Sequence, residues 1–213
     1  MKRSEKAQSK LYFEIVRSGS DGNCVVIEDV MIDIGIPWKF IKPRLFKIKY
    51  ILITHSHSDH LDKRVYENIR AQFPRIKFIG GWSVHQICPM DYISANNHPV
   101  TLKDIRFIPF ECHHDVPVQG FVFNKKGFDI IYATDTWTLK DAPKGMKYDF
   151  LFLESNHDHV KIEKARDQGK GRYNPYLSAQ RHLSTKDCRT FYFMNRKSKD
   201  SKLIELHKSK RFY

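Results

Sequence analysis

Apolar residues recur along the chain at two periods, one suited to strands and one to helices. Short β-branched and aromatic runs bounded by turn residues predict strands over residues 11–16, 24–28, 30–33, 48–53, 76–79 and 105–110. The same signature returns at residues 120–123, 129–133, 150–153 and 191–194, with Asn124 to Gly127 as a hairpin turn after the first of these. A longer period appears where Leu61, Val65, Ile69 and Phe73 fall at i+4 intervals before Pro74, which predicts an amphipathic helix. Further helical stretches are expected over residues 38–46, 83–88, 177–183 and 199–207. Ten strand candidates require two sheets, and interleaved helices predict an α/β arrangement with helices on the outer sheet faces.

Composition adds boundaries. The chain has 213 residues, 41% of them hydrophobic, with no break or linker, so one domain over residues 11–213 is expected after a basic, flexible start at residues 1–10. That start is charged and leads into no apolar segment, and no run of about eighteen apolar residues occurs. Neither secretion nor a membrane span is expected. Cys24, Cys88, Cys112 and Cys188 are scattered, which suits buried thiols in a reducing, cytoplasmic setting without disulfides. The formal net charge is +13, concentrated over residues 161–172 and 196–211. Such a field either attracts a polyanion such as nucleic acid or simply keeps the surface solvated.

The chemistry concentrates in Thr54-His55-Ser56-His57-Ser58-Asp59-His60, between a predicted strand and the amphipathic helix. In an extended loop His55, His57 and Asp59 alternate onto one side, and His60 sits where the helix begins. Imidazole and carboxylate donors suit zinc, manganese or iron. One or two histidines would read as a helix cap; three histidines and an aspartate in six positions weigh against that.

A pattern HxHxDH after a strand resembles the metallo-β-lactamase superfamily. Ser18-Gly19-Ser20-Asp21-Gly22-Asn23-Cys24, Met31-Ile32-Asp33-Ile34-Gly35, Cys112-His113-His114-Asp115, Thr134-Asp135-Thr136, Glu154-Ser155-Asn156-His157-Asp158 and His182-Leu183-Ser184 extend the resemblance from about Leu11 onward. They look like the small bacterial stand-alone, exonuclease-like branch related to ribonuclease Z. The resemblance implies a four-layer αββα sandwich and two divalent metal ions, zinc or manganese. It implies His55, His57 and His114 on the first metal, Asp59 and His60 on the second, Asp135 bridging, and Asp33 bracing the loop from behind. His114 rather than His113 fits the family pattern, because it directly precedes Asp115.

The family's last ligand is usually a histidine after the final strand. Here the segment after residues 191–194 reads Asn195-Arg196-Lys197-Ser198, so Asn195 lies nearest, and an amide oxygen implies a weaker second site. His207 is the other option, but in an expected basic helix it reads as a surface residue.

The resemblance implies a metal-dependent hydrolase, a phosphodiesterase or nuclease acting on DNA, RNA or a nucleotide through a metal-activated water. Asp59 or Asp135 would accept a proton, and His182 would protonate the leaving oxygen, its other reading being a histidine at a helix C-terminus. Glu154, Asn156, His157 and Asp158 follow a predicted strand end and are expected near the site, either touching substrate or holding His182. Arg166, Lys170, Arg172 and Arg181 are candidates for phosphate contact, with Tyr173 and Tyr176 for stacking. The turn Ser18 to Asn23 reads either as a phosphate cradle or as a tight hairpin. Two other functions stay open: hydrolysis of a small ester, thioester or cyclic nucleotide, and a catalytically weakened fold that binds nucleic acid or protein.

Overall fold

The computed structural model describes residues 10–164 and 174–213, and within them the apolar runs pair into two six-stranded sheets. The first sheet is built in chain order from β1 (Phe13–Arg17), β2 (Cys24–Ile27), β3 (Val30–Ile32), β4 (Tyr50–Ile53), β5 (Lys77–Gly80) and β6 (Tyr92–Ile93). The second runs from β7 (Val100–Thr101) through β8 (Arg106–His113), β9 (Pro117–Lys125), β10 (Phe128–Ala133) and β11 (Phe150–Glu154) to the edge strand β12 (Lys202–Leu206). Helices α1 (Trp38–Ile41), α2 (Lys63–Gln72), α3 (Trp82–His85), α4 (His159–Lys164), α5 (Pro175–Ala179) and α6 (Thr185–Asn195) interleave with them, and α1 runs into a 3-10 turn, Lys42–Lys47.

Alternation along the strands sorts side chains into layers. Ile27, Ile32, Leu52 and Ile79 of the first sheet meet Phe107, Phe121, Tyr132 and Phe152 of the second between the sheets. Met31, Ile51, Ile53 and Phe78 point outward and pack on Val65, Tyr66 and Ile69 of α2, the face that the i+4 pattern predicts. On the far side Ile131, Ala133, Leu151 and Leu153 pack with Cys188, Phe191 and Tyr192 of α6. The result is the four-layer αββα sandwich. The expected hairpin joins β9 to β10, with Phe128 opposite Lys125 and left-handed φ of 52° at Lys126 and 83° at Gly127, as a two-residue turn demands.

Strands β3 to β6 run parallel, as do β10, β11 and β12. Carboxyl ends of parallel strands are where α/β folds place ligands. Here both parallel sets deliver their ends to one cleft.

Two expectations near the C-terminus are corrected. Residues 191–194 are helix rather than strand, lying inside α6, and residues 202–206 form β12 where a helix was expected. Helix α6 is started by Ser184, whose Oγ accepts from Asp187 N at 3.0 Å while donating to Asp187 Oδ2 at 2.7 Å. The aromatic run that mimics a strand puts Phe191 and Tyr192 inward and leaves Phe193 and Met194 exposed. Arg166, Lys170, Arg172 and Tyr173 lie outside the described residues. No helix among the described residues is long and apolar enough to cross a membrane.

Candidate metal centre

The histidine segment leaves β4 and folds back at once, because the N–H groups of His60 and Leu61 both donate to His57 O, at 2.9 and 2.8 Å. Asp62 then caps α2, its Oδ1 accepting from Arg64 N and Val65 N. The loop is sewn to the first sheet from behind. Asn23 N donates to Asp59 O at 2.7 Å, and Ile34 N donates to His60 O at 2.8 Å. Gly35 passes so near that a Cβ there would lie 1.9 Å from the Asp59 carbonyl carbon, so only glycine fits.

Two groups of donors result. In one, His55 Nε2 and His57 Nδ1 face each other at 3.1 Å, and the ring of His114, from the end of β8, lies 5.5 Å from that of His57. In the other, Asp59 and His60 meet His207, the residue directly after β12. Asp135 stands between them. Its Oδ2 is 3.0 Å from His60 Nε2, its Oδ1 is 3.5 Å from His207 Nε2, and it groups with His55 as well. Asp33 sits behind, as expected: its Oδ2 accepts from His60 Nδ1 at 2.7 Å and its Oδ1 from Thr54 N at 2.9 Å. With Nδ1 so engaged, His60 turns Nε2 toward the centre.

Asp33, Asp135 and His207 each stand within two residues past a strand end in a left-handed conformation, with φ of 61°, 52° and 51°. Such backbone costs on the order of 1 kcal/mol per residue and clusters at functional sites.

Electrostatics favour a cation here. Burial opposes the charge on His60, yet Asp135 and Asp33 flank it and raise its pKa well above the ordinary value. Burial likewise works against the Asp135 carboxylate, but His207, His60 and His55 hold its pKa well below the usual range. His55 is driven down by burial first and by neighbouring His60 second, so it offers a neutral lone pair. Imidazole nitrogens and buried carboxylate oxygens at this spacing fit a divalent metal ion.

His182 reaches the same centre from the turn before α6. Its Nδ1 bonds Glu154 Oε1 at 2.7 Å, and its ring stacks on His207 at 5.1 Å between centroids. Burial lowers its basicity, but the Glu154 carboxylate and then Asp135 raise its pKa to about 9. Glu154 itself is fully buried, and its Oε2 accepts from Thr136 N and Leu183 N.

Asn195 is not brought to the cleft. Its Nδ2 donates to Phe191 O within α6, and its carbonyl accepts from Tyr148 N, before the start of β11, whereas Glu154 ends that strand at the cleft. The correction has one cause: once the final strand is β12 rather than residues 191–194, the residue that follows it is His207. Far from a surface position, His207 is 6% exposed. A weak second site loses its motive, and so does the weakened binding fold, because an imidazole stands where one seemed missing.

Asn156 supports rather than lines the centre, its Nδ2 donating to His207 O at 2.8 Å. His157 pairs with Ser184 at the start of α6, and Asp158 Oδ1 accepts from Lys161 N in α4. Arg181 lies at the rim, 3.2 Å from Asp115 Oδ2. His113 turns away to Asp141, at 2.5 Å. Sequence reasoning missed Asp115 as a charged neighbour, 3.5 Å from His57 Nε2 and 3.1 Å from His114 Nε2. It also missed Asn23 as a neighbour of the centre: its Nδ2 lies 2.8 Å from His60 Nε2, whereas the glycine-rich turn signalled a phosphate cradle or a tight hairpin.

The family model described as a beta-lactamase superfamily domain matches residues 34–162. Exodeoxyribonuclease YycJ of Bacillus anthracis is 30% identical over 200 residues, spanning 82% of this chain and 71% of that protein. Exodeoxyribonuclease WalJ of Streptococcus pneumoniae is 28% identical over 201 residues, spanning 82% and 73%. Among solved structures, the short form of human tRNase Z superposes with a TM-score of 0.69 at 17% identity, covering 93% of each chain.

Proposed function

The chain belongs to the beta-lactamase superfamily, and on that basis we propose that it is a metal-dependent nuclease, a phosphodiesterase acting on DNA. The observation that carries the reading is the paired donor set, His55, His57 and His114 on one side of Asp135 and Asp59, His60 and His207 on the other. These residues would hold two divalent ions, zinc or manganese. When bound, such ions supply Lewis acidity toward a phosphoryl oxygen and an acidified water as nucleophile.

The chain's own residues do the rest. Asp33 and Glu154 orient His60 and His182 from behind. Asp59, partly open to the cleft, accepts a proton from the attacking water. His182, held charged near neutral pH by Glu154, donates from Nε2 to the departing oxygen. The net charge of +13 supports a polyanionic substrate, and the two exodeoxyribonucleases named above, at about 30% identity, support DNA over RNA.

The deciding experiment offers end-labelled single- and double-stranded DNA and RNA to chelated protein restored with manganese or zinc. Cleavage of DNA that disappears with Asp59→Ala is the expected result. Cleavage confined to a small diester would replace the nuclease reading with a small-substrate one.

A further inference from the structure

A cavity of about 280 Å³ opens beside the centre, floored by His182 and His207. One wall is the turn Ser18, Gly19, Ser20 and Asp21; the other is the segment Lys208 to Arg211 after β12. The hydrolytic reading uses neither wall. We propose that this cavity is a phosphate subsite, holding the phosphate one nucleotide away from the scissile one. The inference rests on the nuclease reading and adds to it where the substrate strand runs.

Four observations carry it. The cavity shares its floor with the centre, so a strand whose scissile phosphate sits among the histidines continues directly into it. Its volume falls just below the roughly 300 Å³ at which pockets begin to take drug-sized ligands, which suits a sugar-phosphate unit. Its walls present one carboxylate, Asp21, against Lys210 and Arg211, and a third cation, Lys208, that also pairs with Glu205 at 3.0 Å. Its hydrogen-bonding groups lean toward donation. Among the described residues, the N–H group of Ser20 makes no hydrogen bond. Ser209 Oγ accepts from Arg211 N and Phe212 N, which leaves its own hydrogen to donate.

The walls are also tied to the centre and to each other. His207 N donates to Ser18 Oγ at 2.8 Å, which fixes the turn against the candidate ligand. Lys210 Nζ reaches Asp21 Oδ2 at 3.3 Å across the cavity, with side chains 85% and 54% exposed, so an arriving phosphate displaces a weak pair.

The test compares two substrates of the metal-restored full chain: a DNA oligonucleotide, and bis-p-nitrophenyl phosphate, which has no second phosphate. With Ser20→Glu or Lys210→Glu, the ratio of oligonucleotide to small-diester activity is expected to fall at least tenfold. A neutral methylphosphonate at the linkage next to the cut is expected to slow the parent comparably. Faster cutting of a 5′-phosphorylated than a 5′-hydroxyl end, or of a 3′-phosphorylated end, would place a terminal phosphate in the subsite. Indifference to end chemistry with the methylphosphonate effect intact would place an internal one. Unchanged ratios together with normal cleavage beside the methylphosphonate overturn the subsite alone. Failure of the parent to cut any DNA while it cuts the small diester overturns the nuclease reading and the subsite with it.

Discussion

His207 decides what the centre is. Had Asn195 stood at the last donor position, it would offer an amide oxygen; instead a buried imidazole stands there, with Nδ1 3.1 Å from Glu154 Oε1 and Nε2 turned to Asp135. His207→Ala is therefore expected to lower kcat/KM on DNA by on the order of 100-fold and to weaken metal retention, whereas Asn195→Ala stays within a few-fold of the parent. Steady-state kinetics with metal analysis after dialysis reads both. His182 makes a different prediction. As a proton donor to the leaving oxygen, His182→Ala should cost about 10²- to 10⁴-fold on DNA, whose leaving alkoxide needs the proton. On bis-p-nitrophenyl phosphate, whose leaving phenolate needs none, the loss should be small. Equal losses on both substrates would assign His182 to holding the centre together.

At the scale of elements, the histidine loop is positioned by backbone flanking β2 and β3 as well as by its own turn. Asn23 and Ile34 supply the N–H groups, and Gly35 supplies the space. Gly35→Ala forces a methyl group onto the Asp59 carbonyl, which is backbone and cannot swing away. A destabilisation of about 2–3 kcal/mol is expected, or a fall in Tm of roughly 5–10 °C by calorimetry. Helix α6 and strand β12 show how local signals mislead in the other direction. The run Phe191-Tyr192-Phe193-Met194 has strand propensity, yet the box at Ser184 and Asp187 starts a helix whose Cys188, Phe191 and Tyr192 fall at helical spacing on the sheet. Lys202 to Leu206 has the opposite disguise. It is an edge strand, so charged Lys202 and Glu205 are tolerated while Ile204 and Leu206 enter the layer between the sheets.

Across the whole molecule, two sheets bring their parallel ends to one cleft, so metal binding should clamp both halves. Manganese or zinc added to chelated protein at about 100 times its Kd is expected to raise stability by about 2.7 kcal/mol for each site filled. Differential scanning calorimetry measures this, and Asp59→Ala should shrink the shift. The charge of +13 makes a prediction of its own. Logarithmic kcat/KM on DNA should fall linearly with logarithmic salt concentration, while hydrolysis of a small diester stays nearly flat. A flat DNA response would assign the basic surface to solubility.

The sequence by itself determined nine strands up to Leu153, all but the two-residue β6 and β7, together with the amphipathic α2 and the placement of His55, His57, Asp59 and His60 between strand and helix. Those features are local: period, caps and a dense run of donors can be read within a dozen residues. It also carried the family, because several motifs along the chain agree with the same fold. Only the tertiary structure decided the last candidate ligand. Whether residues 191–194 or 202–206 complete the second sheet depends on which segment can pair with β11 and which can cover its outer face. That competition is settled by burial against residues more than thirty positions away, and its outcome moves the strand end, and the donor that follows it, from Asn195 to His207.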